Sequence, residues 1–212
     1  MEKSLDIDRF VARYPRLYHM AEAGTWQSIS DHGLLSATAA LDVSSLTGEE
    51  RVAFEGLQRT RTLKLPADTY GSIPLRDQAT MPPDRLAKAL TDGATPEQWY
   101  RLINGKVFFW ADEDRLIRML RTRAHQRRLC DVLTLDTARL VNAHLDRLWL
   151  CHMNSSSTWP TPHTRGADVF QPISRYPALR PVVEVAVDYS VPSVADYVVA
   201  VRRMRGAAVL AP

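Results

Sequence analysis

The stretch from Leu17 to Ser36 constrains the chain most. Leu17-Tyr18-His19-Met20 is a short apolar run with one histidine in it, and it reads as a strand. Glu22-Ala23-Gly24 follows as a linker. Thr25 is a good N-cap for a helix in which Trp26, Ile29 and Ser30 continue at helical spacing. Gly33 stands where a left-handed C-cap is wanted, and Leu34-Leu35-Ser36 leads away. A histidine at a strand end, with a turn and a helix N-terminus beside it, suits a polar, anionic cofactor. The ordinary reading of a histidine in a strand is a hydrogen-bonded core or edge residue. The far end of the chain supplies a partner for it. Val182-Val183-Glu184-Val185-Ala186-Val187 is an apolar strand interrupted by one carboxylate. A glutamate on a strand ordinarily faces water. Val182 and Ala186 share its face, however, so Glu184 is a polar intruder on an apolar row. His19 and Glu184 are therefore expected to form two walls of one cleft.

The segments between them mix helices and strands without regular alternation. Asp6 to Tyr14 reads as a short helix stopped by Pro15, and Ala37 to Leu41 as another turn of helix. Thr47-Gly48-Glu49-Glu50 is a capping box opening a helix that ends near Thr60. Pro66 to Met81, with its prolines and the Tyr70-Gly71 pair, reads as an extended edge or loop. Pro82-Pro83-Asp84 opens a helix stopped near Gly93, and Thr95-Pro96-Glu97-Gln98 is a second capping box. Lys106 to Trp110 is an apolar strand. Asp112-Glu113-Asp114 then caps a helix whose C-terminal half is expected to carry Arg118, Arg121, Arg123, Arg127 and Arg128. Strands follow at 131–135 and 148–153, with a short helix between them. Asn154 to Arg165 has neither period, holds Trp159 and His163, and reads as an ordered functional loop. Tyr189 to Pro192 reads as a turn and Tyr197 to Met204 as a closing strand. This order argues for α+β rather than a doubly wound parallel sheet. The 212 residues fit one domain, 1–212.

The bulk numbers narrow the function classes. Hydrophobic residues make up 45% and charged residues 24%, an ordinary globular balance. The net charge of +3 permits nucleic-acid contact without arguing strongly for it. Cys130 and Cys151 lack CxxC spacing and read as reduced thiols, so the expected compartment is the cytoplasm. No run of about 18 apolar residues suggests a membrane span, and the first residues lack the apolar core of a signal peptide. Six scattered histidines argue against a metal site, and neither GxGxxG nor a GKS/GKT phosphate loop is present.

Three motifs in order carry a resemblance. Leu17-Tyr18-His19-Met20 through His32-Gly33-Leu34-Leu35-Ser36 resembles the opening of ADP-ribosyltransferase-fold proteins. The similarity is to the DNA-targeting toxins called DarT and to the RNA 2′-phosphotransferases, which open on a strand ending in histidine, a helix and a Gly-Leu-Leu-Ser-like exit. Val107-Phe108-Phe109-Trp110 with Asp112-Glu113-Asp114 resembles their middle strand–helix unit. Pro181 to Pro192 resembles the late strand bearing the transferase glutamate. The resemblance implies a split-sheet core with flanking helices, a cleft between two small sheets, and NAD as substrate with no metal. It implies Glu184 as the catalytic carboxylate, His19 on the adenosine-side ribose, and Phe108 and Trp110 on the nicotinamide. Tyr18, Asn154 and Ser155 are further expected cofactor contacts, with Arg76, Trp159 and Arg165 at the substrate rim.

Departures shape the expected acceptor. Val182 stands two residues before Glu184, where protein-modifying members often carry a glutamate or glutamine. The tyrosine motif of the chain-elongating branch is not evident either. With the arginine-rich segment at 118–128, the expected acceptor is DNA or RNA. A toxin or defence role with an antitoxin protein as partner follows by analogy alone. The alternatives are an RNA 2′-phosphotransferase or NAD hydrolase on the same fold, and a non-enzymatic module that grips nucleic acid or protein.

Overall fold

The computed structural model describes residues 4–67 and 71–210, so Tyr70 of the expected Tyr70-Gly71 pair lies outside it. The chain opens with helix α1 (Ile7–Arg13), whose first turn is closed by Asp6 accepting from the Arg9 backbone N–H at 2.8 Å. Strand β1 (Arg16–Glu22), helix α2 (Trp26–His32) and the short β2 (Leu34–Leu35) follow. Then come α3 (Ala37–Val43), α4 (Gly48–Gly56) and the hairpin of β3 (Leu63–Ala67) with β4 (Gly71–Leu75). Helices α5 (Pro83–Ala87) and α6 (Pro96–Asn104) lead into β5 (Lys106–Trp110). Next are α7 (Glu113–Leu120), β6 (Leu129–Asp136), α8 (Thr137–His144), β7 (Leu148–Cys151) and β8 (Phe170–Gln171). The chain closes with β9 (Glu184–Asp188), β10 (Ser190–Val191), β11 (Val198–Arg205) and β12 (Ala208–Val209).

The fold is mixed α and β, built on one eight-stranded sheet in the order β12-β11-β6-β1-β5-β9-β7-β8. Every pairing between these strands is antiparallel, so no crossover helices are required and the α+β expectation holds at this level. Alternation sorts the side chains. Leu17, Val107, Phe109, Leu133, Leu135, Val185 and Val187 pack with Phe10 of α1 and with Leu140 and Val141 of α8 into the main core. Phe108 and Ala186 turn to the opposite face, against Trp99 and Tyr100 of α6.

The sheet is weakest at its centre. β1 shares seven residue pairs with β6 but only one with β5, Tyr18 opposite Trp110. Continued, that register would set His19 against Phe109 and Met20 against Phe108, yet neither pair forms because the strands have parted there. Two side chains replace the missing ladder. His19 Nδ1 bonds the Phe108 carbonyl at 2.8 Å, and an Arg76 guanidinium N–H donates to the Met20 carbonyl at 3.3 Å. Both carbonyls thereby keep a partner where the strands part. The opening between the two half-sheets is the mouth of a large cleft.

Several local expectations need correction. Thr25 does not cap α2: its hydroxyl donates to the Glu22 carbonyl instead. Gly33 has φ 83° but ψ 178°, so it is not a left-handed helical cap. A side chain there would still meet the Val191 carbonyl oxygen at 2.5 Å, because β10 packs directly on this turn. Thr47 makes no side-chain cap bond and α4 stops at Gly56, short of Thr60. Pro66 to Met81 is partly a hairpin, with Pro66 and Pro74 on two-stranded edges where no ladder N–H is needed. The Pro82 helix ends at Ala87, and α7 ends at Leu120, so Arg121 to Arg128 leave the helix. Tyr189 to Pro192 contains β10, which pairs with β2 rather than merely turning.

Candidate functional site

The cleft has a volume of about 1670 Å³, larger than the roughly 300–1,000 Å³ of an ordinary small-molecule pocket. Its walls come from the end of β1, α2, β2, the β3–β4 hairpin, β5, the segment after α7, and the loop between β7 and β8. His19, Phe108, Trp110, Arg76, Asn154, Trp159 and Glu184 all line it. The two walls expected from residues 165 positions apart therefore do face one cavity.

Glu184 is the first residue of β9 and lies directly opposite Trp110 on β5 and Cys151 on β7. It is 4% exposed. One carboxylate oxygen, Oε2, accepts from the Ser155 hydroxyl at 2.7 Å and from the Ser155 backbone N–H at 3.0 Å. Burial pushes the carboxyl up to about 7, while the two Ser155 bonds and the charge of Arg165 pull it down. At neutral pH it therefore divides between the acid and the carboxylate.

Ser155 is itself fully buried and does not reach the cleft. It positions Glu184 rather than touching a ligand directly. Behind it stands Arg165, only 1% exposed and so not at the rim where it was expected. Its guanidinium donates to the carbonyls of Ser155, Ser157 and His163 at 3.0, 2.8 and 3.1 Å. The loop from Asn154 to Arg165 is folded around this side chain. Thr80 braces it from outside, its hydroxyl donating to the Ser156 carbonyl and its own carbonyl accepting from Thr158. Tyr18 turns away from the cleft. It lines a separate hollow of about 360 Å³ with Arg13, Arg16 and Glu113.

His19 is oriented by its bond to the Phe108 carbonyl. A carbonyl only accepts, so Nδ1 carries the proton and Nε2 keeps its lone pair. Burial pushes the imidazole down to about 4, with the nearby Arg76 charge adding to the fall. The ring is therefore neutral at pH 7 and offers one acceptor. Arg76 is also depressed, by burial first and by Arg128 second.

The other lining residues were not singled out as site residues from sequence. Arg180, His152 and His163 join the Glu184 side, while Glu22, Arg118 and Arg123 join the His19 side. Arg180 precedes Glu184 by four residues, and that nearness was the only available signal. The guanidinium groups of Arg118 and Arg123 are exposed and have no hydrogen-bond or ion-pair partner among the described residues. Arg128 is tied to Asp77 at 2.8 Å. Among the described residues no group of three or more His, Cys, Asp or Glu side chains could hold a metal ion. No helix among them is long and apolar enough to cross a membrane.

No curated protein matches the chain. One family model does, described as a family of unknown function (DUF7002), over residues 15–198. That span begins just before β1 and ends on the first residue of β11, taking in every side chain of the cleft. The chain belongs to the DUF7002 family.

Proposed function

We propose that this domain is an NAD-dependent ADP-ribosyltransferase-like enzyme with a nucleic-acid acceptor. The observation that carries the reading is Glu184: a buried carboxyl with a pKa near 7, facing a large cleft beside Trp110 and across a parted sheet from His19. The parting between β1 and β5 fits a split-sheet core of the ADP-ribosyltransferase kind.

In the proposed reaction the bond between nicotinamide and ribose breaks, its electron pair leaves with nicotinamide, and the acceptor bonds to the freed ribose carbon. Positive charge develops on the sugar, as in glycoside hydrolysis. The ionised form of Glu184 stabilises that charge and takes the acceptor's proton. His19 Nε2, neutral and an acceptor, suits a ribose hydroxyl. Phe108 and Trp110 suit the nicotinamide ring, and Asn154 the polar wall. The unpaired Arg118 and Arg123 favour a DNA or RNA acceptor. Cys130 and Cys151, free and buried, fit a reducing cytoplasm. A toxin or defence role with an antitoxin partner rests on the resemblance alone.

The test is free nicotinamide after incubation with NAD, with and without DNA, RNA or protein. Release that depends on a nucleic acid is the expected result. Release without any polymer would make the enzyme a hydrolase, and no release in any mixture would overturn the reading. Glu184→Gln should lower turnover roughly 10²- to 10⁴-fold with the fold kept. Full turnover in that variant would remove Glu184 from the chemistry.

A further inference from the structure

Among the described residues, Trp159 is the one large hydrophobic residue lining the cleft that is exposed. Its side chain is 57% exposed at the cleft wall. A single exposed aromatic is ordinary on a protein surface, but this one is built into place. The guanidinium carbon of Arg85 lies 3.8 Å from its ring centroid. One Arg85 guanidinium N–H group is held by the carbonyls of Thr158 and Pro160, both at 2.8 Å. Arg85 does not line the cleft, so it backs the ring from the outer side. The arrangement costs a hydrogen bond: Arg85 Nε is buried with no partner among the described residues. The loop carrying Trp159 is itself fixed, through Arg165 inside and Thr80 outside. One face of an indole is thus covered by a cation, the other faces the cleft, and its mount is rigid.

A rigid aromatic face in a cleft whose wall also carries the exposed Arg118 and Arg123 is the chemistry that holds a nucleobase of a single strand. Stacking takes any base, and arginines beyond it take the phosphates. A base within a duplex is stacked already and cannot present its face. We propose that Trp159 is the stacking platform for an unpaired base of a single-stranded nucleic acid, presented to Glu184. The presentation to Glu184 rests on the transferase reading above; the platform itself is tested without NAD.

The experiment uses the full chain and a fluorescently labelled single-stranded oligonucleotide of mixed sequence, read by anisotropy, with no NAD present. Trp159→Ala should weaken binding roughly 5- to 150-fold, the loss expected for one stacked base. Trp159→Phe keeps an aromatic face and should restore most of the affinity, which also shows that the loop still folds. With unlabelled oligonucleotide, the wild type should show tryptophan quenching that Trp159→Phe lacks although it still binds. Equal binding by wild type and Trp159→Ala would overturn the platform, as would equal binding of an intact duplex. Quenching by NAD alone that disappears in Trp159→Phe would assign the ring to the dinucleotide and overturn it too. Platform behaviour in a protein that releases no nicotinamide would uphold the stacking site and sink only the transferase reading.

Discussion

A carboxyl whose pKa is about 7 in the fold, against an ordinary 4.5, binds its proton more tightly folded than unfolded. For Glu184 this contributes stability that is full below pH 4.5 and lost as the pH rises through 7. His19 has the opposite sign. Its pKa falls to about 4 from 6.5, so its contribution is present above pH 6.5 and lost as the pH falls towards 4. The two windows overlap and their slopes oppose, so the pair conceals its own pH dependence in the wild type. Removing one member should reveal it. Glu184→Gln keeps an oxygen for the Ser155 donors and cannot ionise. Its stability relative to wild type should therefore improve with pH, by up to about 3 kcal/mol between the acid and alkaline ends of the window. Urea unfolding of both proteins at pH 5 and pH 8 measures the change. A gap that stays constant would mean that the carboxyl titrates like an exposed one.

Two segments with nearly the same cap sequence show what could be read at the level of elements. Thr47-Gly48-Glu49-Glu50 and Thr95-Pro96-Glu97-Gln98 both read as capping boxes. Only the second forms: Thr95 accepts from the Gln98 N–H at 3.2 Å, and Gln98 accepts from the Thr95 N–H at 2.8 Å. Pro96 presets the first helical residue there, whereas Gly48 sits at φ 66° and turns the chain differently. Thr95→Ala should cost about 1 kcal/mol, and Thr47→Ala should stay within about 0.5 kcal/mol. Equal losses in urea unfolding would contradict the geometry. The same physics explains α7. Asp112 caps it as expected, but its apolar stripe ends with Leu116, Ile117 and Leu120. Charge at 121–128 matches a helix dipole, yet without an apolar face nothing holds that stretch in a helix. The segment turns instead, and the turn brings Arg123 and Arg128 to the cleft.

At the scale of the whole molecule, the carboxylate and the histidine of the site were legible because each breaks an apolar pattern. What supports them was not. Ser155 and Arg165 stand in a segment without period, and only the folded loop shows one holding Glu184 and the other holding the loop. The parting of β1 from β5 was equally hidden, since register between strands far apart in sequence leaves no local mark. The charge of the cleft also emerges only in the fold, where paired and unpaired arginines separate. Arg128 is bound to Asp77, and Arg202 to Glu113 at 2.6 Å. Arg118 and Arg123 remain exposed on the cleft wall with no partner among the described residues. If they neutralise phosphates of a bound single strand, each releases counterions and adds about 0.7 to the slope of log affinity against log salt. The double variant Arg118→Ala with Arg123→Ala should flatten that slope by about 1.4 and weaken all oligonucleotide sequences alike. Trp159→Ala acts through stacking and should lower affinity at every salt concentration without changing the slope. Titrations at several salt concentrations separate the two. A slope unchanged in the arginine variant would mean that the strand runs over another part of the surface.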